Sequence, residues 1–130
     1  MSQEHVRVVE AAYEALNSRG IEAFSEYWVD DIEWRTMRDR WQGRDAGRAY
    51  LQELNDLFDD FTTEPLELFD AGDERVVLYM RYSGHSRRGG PMAVPLEYFA
   101  IVIHVRDQKI AHAVEYATRT EALEAAGLSE

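Results

Sequence analysis

The sequence contains no cysteine, few basic residues and no apolar run approaching the roughly 20 residues that a membrane-spanning helix requires. Without cysteine there is no disulfide, no thiolate nucleophile and no thiolate metal site, and a cytoplasmic address is the simplest expectation. Only 14 Lys and Arg stand against 25 Asp and Glu, a formal charge of −11 with a pI near 4.7. That balance argues against nucleic acid and against anionic membrane surfaces, because binding either requires phosphates to be neutralised by Lys and Arg. The opening Met1-Ser2-Gln3-Glu4-His5 leads into an amphipathic stretch, so no secretory signal is read there. What the chain does have is apolar bulk: 45% hydrophobic and 12% aromatic residues over 130 positions, enough for a single folded domain spanning 1–130.

Two hydrophobic periods divide the chain. In the first half, Val6, Val9, Ala12, Tyr13 and Leu16 recur at helical spacing, and Asn17-Ser18-Arg19-Gly20 supplies a stop. A short second helix is expected over 21–28 and a third over 45–58, with a strand at 32–36 and a polar loop carrying Trp41 between them. In the second half the period falls to 2, giving strands over 61–69, 75–86, 94–106 and 109–118. Asp107-Gln108 is short enough for a tight hairpin. Thr118-Arg119-Thr120-Glu121 reads as a capping box opening a last helix that Gly127 closes. Helices followed by an antiparallel meander define an α+β domain with helices on one face of a curved sheet.

Alternation along the strands sorts residues into two sets. One is Val77, Tyr79, Arg81, Ser83, then Pro95, Glu97, Phe99, Ile101, Ile103, then Ala113, Glu115, Ala117. The other is Val76, Leu78, Met80, Tyr82, then Leu96, Tyr98, Ala100, Val102, then Val114 and Tyr116. Both are mostly apolar, so both faces should be covered: one by the helices, the other by a second subunit in a homodimer. Arg81, Glu97 and Glu115 are the ionisable members of the first set. Buried charges must pair, neutralise or line a cavity, so these three form either a structural ion cluster or an acid/base pocket.

The segments Asp30-Asp31-Ile32-Glu33-Trp34, Gly43-Arg44-Asp45-Ala46, Asp107-Gln108-Lys109-Ile110 and the closing run from Glu115-Tyr116-Ala117-Thr118 to Ala126-Gly127-Leu128 resemble SnoaL-like proteins of the nuclear-transport-factor-2-like superfamily. The resemblance covers nearly the whole chain. It implies a cone-shaped curved antiparallel sheet, three N-terminal helices packed on its concave face, a short C-terminal helix and an internal apolar pocket, commonly in a dimer whose sheets face each other. Against ketosteroid isomerases, the oxyanion acid falls on Glu97, the base position on Thr36 and the tyrosine on Ala12, with Tyr13 one residue away. Against limonene epoxide hydrolases, Arg81 and Glu115 align with an arginine and an acid, while the second acid is Ser83. Polyketide cyclases of the SnoaL type need one carboxylate, which either Glu97 or Glu115 supplies.

The resulting expectation is a pocket for a small apolar molecule, working without cofactor or metal. Glu115 is the expected base, Arg81 its electrostatic partner and Glu97 a neutral donor to developing charge. Tyr79, Ser83, Phe99 and Ala113 join them as wall residues, and the resemblance adds Tyr13, Trp34 and Thr36. Isomerase, cyclase and epoxide-hydrolase chemistry all suit such a pocket; the rival readings are a ligand carrier without chemistry and a pocketless dimerisation module. His5, His85, His104 and His112 lie on different elements without metal-ligand spacing and are read as surface or interface residues. Arg87-Arg88-Gly89-Gly90 reads as a solvated hairpin tip.

Overall fold

The computed structural model describes residues 3–37, 39–86 and 98–128. Helix α1 (Gln3–Arg19) buries Val9, Ala12 and Tyr13 of the predicted stripe and Ala15 beside it, while Val6 and Leu16 of that stripe are partly buried. It stops at Gly20, whose φ of 97° suits glycine alone, and α2 (Ile21–Ser25) follows at once. Strand β1 (Trp28–Arg35), strand β2 (Arg40–Gln42) and helix α3 (Arg44–Leu57) complete the first half. The meander is β3 (Phe58–Gly72), β4 (Arg75–Ser86), β5 (Tyr98–Arg106) and β6 (Lys109–Tyr116), with α4 (Arg119–Ala125) last. The Thr118 side chain accepts from the Glu121 backbone N–H, which is the predicted cap. Asp107 and Gln108 both sit at positive φ, 53° and 63°, as a two-residue hairpin with this twist demands, although neither is glycine.

The strands form one six-stranded sheet in the order β2-β1-β6-β5-β4-β3. Helix α3 carries the chain across the sheet to its far edge, and the antiparallel meander walks back strand by strand. The return brings β6 against β1 in the same direction, so the sheet is mixed, with this one parallel pair. Strand β1 is also longer than expected, because Asp30 and Asp31 are exposed residues within it rather than a break.

Two clusters of buried residues occupy opposite faces. The larger lies beneath α1, α2 and α3 on the concave side and joins Val76, Leu78 and Met80 of β4 to Phe99, Ile101 and Ile103 of β5. The smaller packs Val77, Ala100 and Val102 against Ala122, Leu123 and Ala126 of α4. Helix α4 therefore accounts for part of the apolar character of the outer face that suggested a second subunit. Tyr98, opposite Arg81 on that face, is 45% exposed.

This arrangement corrects the sorting of β4. Met80 lies opposite Phe99 and Leu78 opposite Ile101, and Ile101 in turn lies opposite Glu115. The even-numbered residues of β4 therefore share a face with the odd-numbered residues of β5 and β6. Alternation fixes phase within a strand, but the phase between strands is set by the pairing register, which sequence period does not contain. Tyr79, Arg81 and Ser83 consequently belong to the outer face.

Helix α3 can approach the sheet closely because Gly47 has no side chain. A Cβ there would stand 2.4 Å from Cζ3 of Trp41 and 2.7 Å from Cζ3 of Trp28. Both rings are walled in by other aromatics, so Gly47→Ala should cost more in overpacking, about 1–3 kcal/mol, than the roughly 1 kcal/mol that alanine gains in helix propensity. Urea denaturation should show a lowered midpoint; an unchanged or raised one would mean that the indoles move aside freely.

Candidate active site: a glutamic acid in an aromatic box

The parallel pairing of β1 with β6 puts Trp34 opposite Ala113, two residues before Glu115. From that position the Trp34 indole Nε1–H donates to Glu115 Oε2 at 2.9 Å. Trp34 is stacked on Trp41, with ring centroids 5.4 Å apart and planes 14° from parallel. Trp41 in turn touches Trp28 and Tyr50, and Trp28 continues through Phe24 to Tyr13. From β4, Tyr82 closes the other side, its ring 4.6 Å from that of Phe99. Tyr13, Phe24, Tyr50, Tyr82 and the three indoles, with Glu115, Leu16, Leu51 and Thr63, line a cavity of about 20 Å³, room for a single water molecule.

The electrostatics follow from the wall. Burial among apolar rings disfavours the charged carboxylate and pushes the Glu115 pKa up to about 7, while the Trp34 hydrogen bond partly opposes the shift. Burial, and next the nearby Glu115 charge, raise the Tyr13 hydroxyl. The same two causes, followed by the neighbouring hydroxyls of Tyr13 and Tyr50, raise Tyr82. Both phenols therefore stay neutral and able to donate. A carboxyl that titrates near neutrality beside neutral hydroxyl donors can give or take a proton and stabilise a developing oxyanion.

Of the residues singled out from sequence, Glu115, Tyr13 and Trp34 meet in this box. Phe99 and Ala113 lie on the same face in the core behind it. Thr36 is buried but does not line the cavity, and its hydroxyl bonds the Asp39 backbone in a local turn. Arg81 is not brought to Glu115: it lies on the outer face, 4.0 Å from a Glu64 carboxylate oxygen and over the ring of Tyr98. Tyr79 stacks on Tyr98 on that same side, and Ser83 follows it in phase. Glu97 falls outside the described residues.

Sequence reasoning missed Tyr82, Trp41, Trp28 and Tyr50 as site residues. Tyr82 was lost with the phase of β4. Trp41 sits on a strand of only three residues, too short to show alternation. The indole Nε1–H groups of Trp28 and Trp41 are buried and have no partner among the described residues.

Among the described residues no set of three or more His, Cys, Asp or Glu is arranged to hold a metal ion. His104 and His112 face each other across β5 and β6 with ring centroids 5.4 Å apart, and His112 Nε2 is 3.7 Å from Glu33.

A curved, unclosed mixed sheet with helices packed on its concave face is the cone architecture of nuclear-transport-factor-2-like proteins. Residues 9–113 match the SnoaL-like domain, and the chain belongs to that family. Solved structures agree on the fold. TerC, co-crystallised with polyporic acid, is 17% identical with a TM-score of 0.73, over 95% of this chain and 98% of that one. A candidate polyketide cyclase from Sinorhizobium meliloti is 19% identical, TM-score 0.69, over 85% and 94%. A protein of unknown function from Burkholderia pseudomallei with the same fold is 16% identical, TM-score 0.74, over 93% and 95%. No curated protein shows significant sequence similarity to the chain.

The raised pKa makes a stability prediction. Folded Glu115 holds its proton more tightly than unfolded Glu115, so its stabilising contribution is full below pH 4.5 and is lost as pH rises through about 7. Glu115→Gln removes this dependence. Between pH about 5 and about 8, urea denaturation should show the variant gaining about 1–3 kcal/mol on the wild type. Parallel stability curves for the two proteins would contradict the assignment.

Proposed function

We propose that this protein binds a small, largely apolar carbonyl compound and moves a proton on it, with Glu115 as acid/base. The observation that carries the reading is the Glu115 carboxyl itself, half-buried among aromatic rings, held by the Trp34 N–H and with its pKa pushed up to about 7. As a carboxylate it removes a proton from carbon beside the carbonyl, and the electron pair moves onto the carbonyl oxygen. Neutral Tyr13 and Tyr82 are the donors available to that oxygen. The protonated Glu115 then returns its proton to carbon; alternatively the enolate carbon bonds to a second carbonyl carbon within the same molecule, that carbonyl's π pair moves onto its oxygen, and the resulting alkoxide takes the proton from Glu115.

Membership of the SnoaL-like family supports the reading, as does the likeness to a candidate polyketide cyclase and to a protein co-crystallised with polyporic acid. Arg81 takes no part, because the sheet stands between it and the carboxyl.

The test needs no knowledge of the natural substrate. Protein is incubated in D₂O with a panel of small cyclic ketones and enones, and deuterium uptake at carbon is followed by NMR. The wild type should accelerate exchange of at least one of them, and Glu115→Gln should abolish the acceleration. The rate should rise with pH through about 7. Trp34→Phe should move that rise to higher pH, since the lost hydrogen bond favoured the charged form. No exchange with any member, together with a bound molecule recovered unchanged in native mass spectrometry, would favour a carrier instead.

A further inference from the structure

The acid chamber has a neighbour. A second hollow of about 200 Å³ lies between α1, α3 and β3, lined by Asn17, Asn55 and Phe61 among others. Leu16, Leu51 and Thr63 line both hollows and are therefore the partition between them. The chamber alone admits no more than a water molecule, so a ligand that reaches Glu115 must also occupy space beyond it, and the larger hollow adjoins it directly.

The parts of the partition are held differently. Thr63 is fixed: its hydroxyl donates to Asn17 Oδ1 at 2.9 Å, and Asn17 Nδ2 donates to the Thr63 carbonyl at 2.8 Å. This double link ties α1 to β3. Leu16 and Leu51 are only partly buried, and leucine side chains are held by packing alone, so a change of rotamer breaks no hydrogen bond.

We infer that the outer hollow is the way into the acid chamber, with Leu16 and Leu51 as the gate and the Asn17–Thr63 link as its fixed post. The two leucines then decide what reaches Glu115: a slender apolar end passes between them, and a branched or charged one does not. The gate gives the proposed function a route, but the test below is independent of catalysis.

All three tryptophans of the chain, Trp28, Trp34 and Trp41, line the chamber, so intrinsic fluorescence reports on access to it. The probe is acrylamide, a small neutral quencher. Leu51→Ala should raise the Stern–Volmer constant roughly twofold or more, by removing the bulk of the gate. Leu51→Phe should leave it at or below the wild-type value. Leu57→Ala, at a leucine of the same helix that is 56% exposed, should change nothing.

Far-UV circular dichroism confirms folding, and if Leu51→Ala does not fold, Leu16→Ala carries the same prediction. Wild-type quenching in a folded gate variant, or an equal rise in Leu57→Ala, would overturn the gate. Failure of the gate would leave a Glu115-dependent exchange activity standing, and failure of that activity would leave the gate standing.

Discussion

Placing a carboxyl against aromatic rings is unfavourable for its charged form, and a single indole N–H is the polar group that holds it there. The bond from Trp34 to Glu115 answers part of the cost while leaving the acid poised between its two states near neutral pH. Much of the surrounding structure keeps both partners where they are. The parallel β1–β6 register sets their separation, Trp41 fixes the plane of the Trp34 ring, and Gly47 lets α3 press the indoles together from above. The same wall keeps Tyr13 and Tyr82 protonated. One burial thus tunes the acid and preserves the donors beside it.

The two faces of the sheet divide the work. The concave face, under the three N-terminal helices, carries the acid and its aromatic enclosure. The outer face carries the opposite parity: Arg81 between Glu64 and Tyr98, and the small residues on which α4 rests. Because the sheet is a single layer, neighbouring residues on one strand serve different ends. Met80 and Tyr82 belong to the chamber side, whereas Arg81 between them belongs to the surface.

Much of this was legible beforehand. The α1 stripe through Val9, Ala12 and Tyr13, the change of period at the middle of the chain, the Thr118 cap and the Asp107-Gln108 hairpin all stand in local pattern. Glu115 could be named from strand alternation, and the resemblance to SnoaL-like proteins placed Tyr13 and Trp34 in the same pocket wall; the parallel pairing of β1 with β6 that joins Trp34 to Glu115 stands in neither. What local pattern lacks is the relative phase of two paired strands, which the register of β4 against β5 sets. One wrong phase moved Tyr79, Arg81 and Ser83 into the site and Tyr82 out of it. Strand β1 was misjudged for a related reason: Asp30 and Asp31 look like a break, yet they sit at a register shift within the strand, where exposed acids are tolerated at a bulge.

The central claim concerns the protonation of one carboxyl, and it can be observed directly. With glutamate labelled by ¹³C at the side-chain carboxyl, the Glu115 resonance, assigned by its loss in Glu115→Gln, can be followed by NMR across the pH range. A midpoint near 7 is predicted, with the Trp34 indole proton shifting in step. A midpoint at the ordinary value of 4.5 would mean that the carboxyl is solvated and that the aromatic box does not tune it.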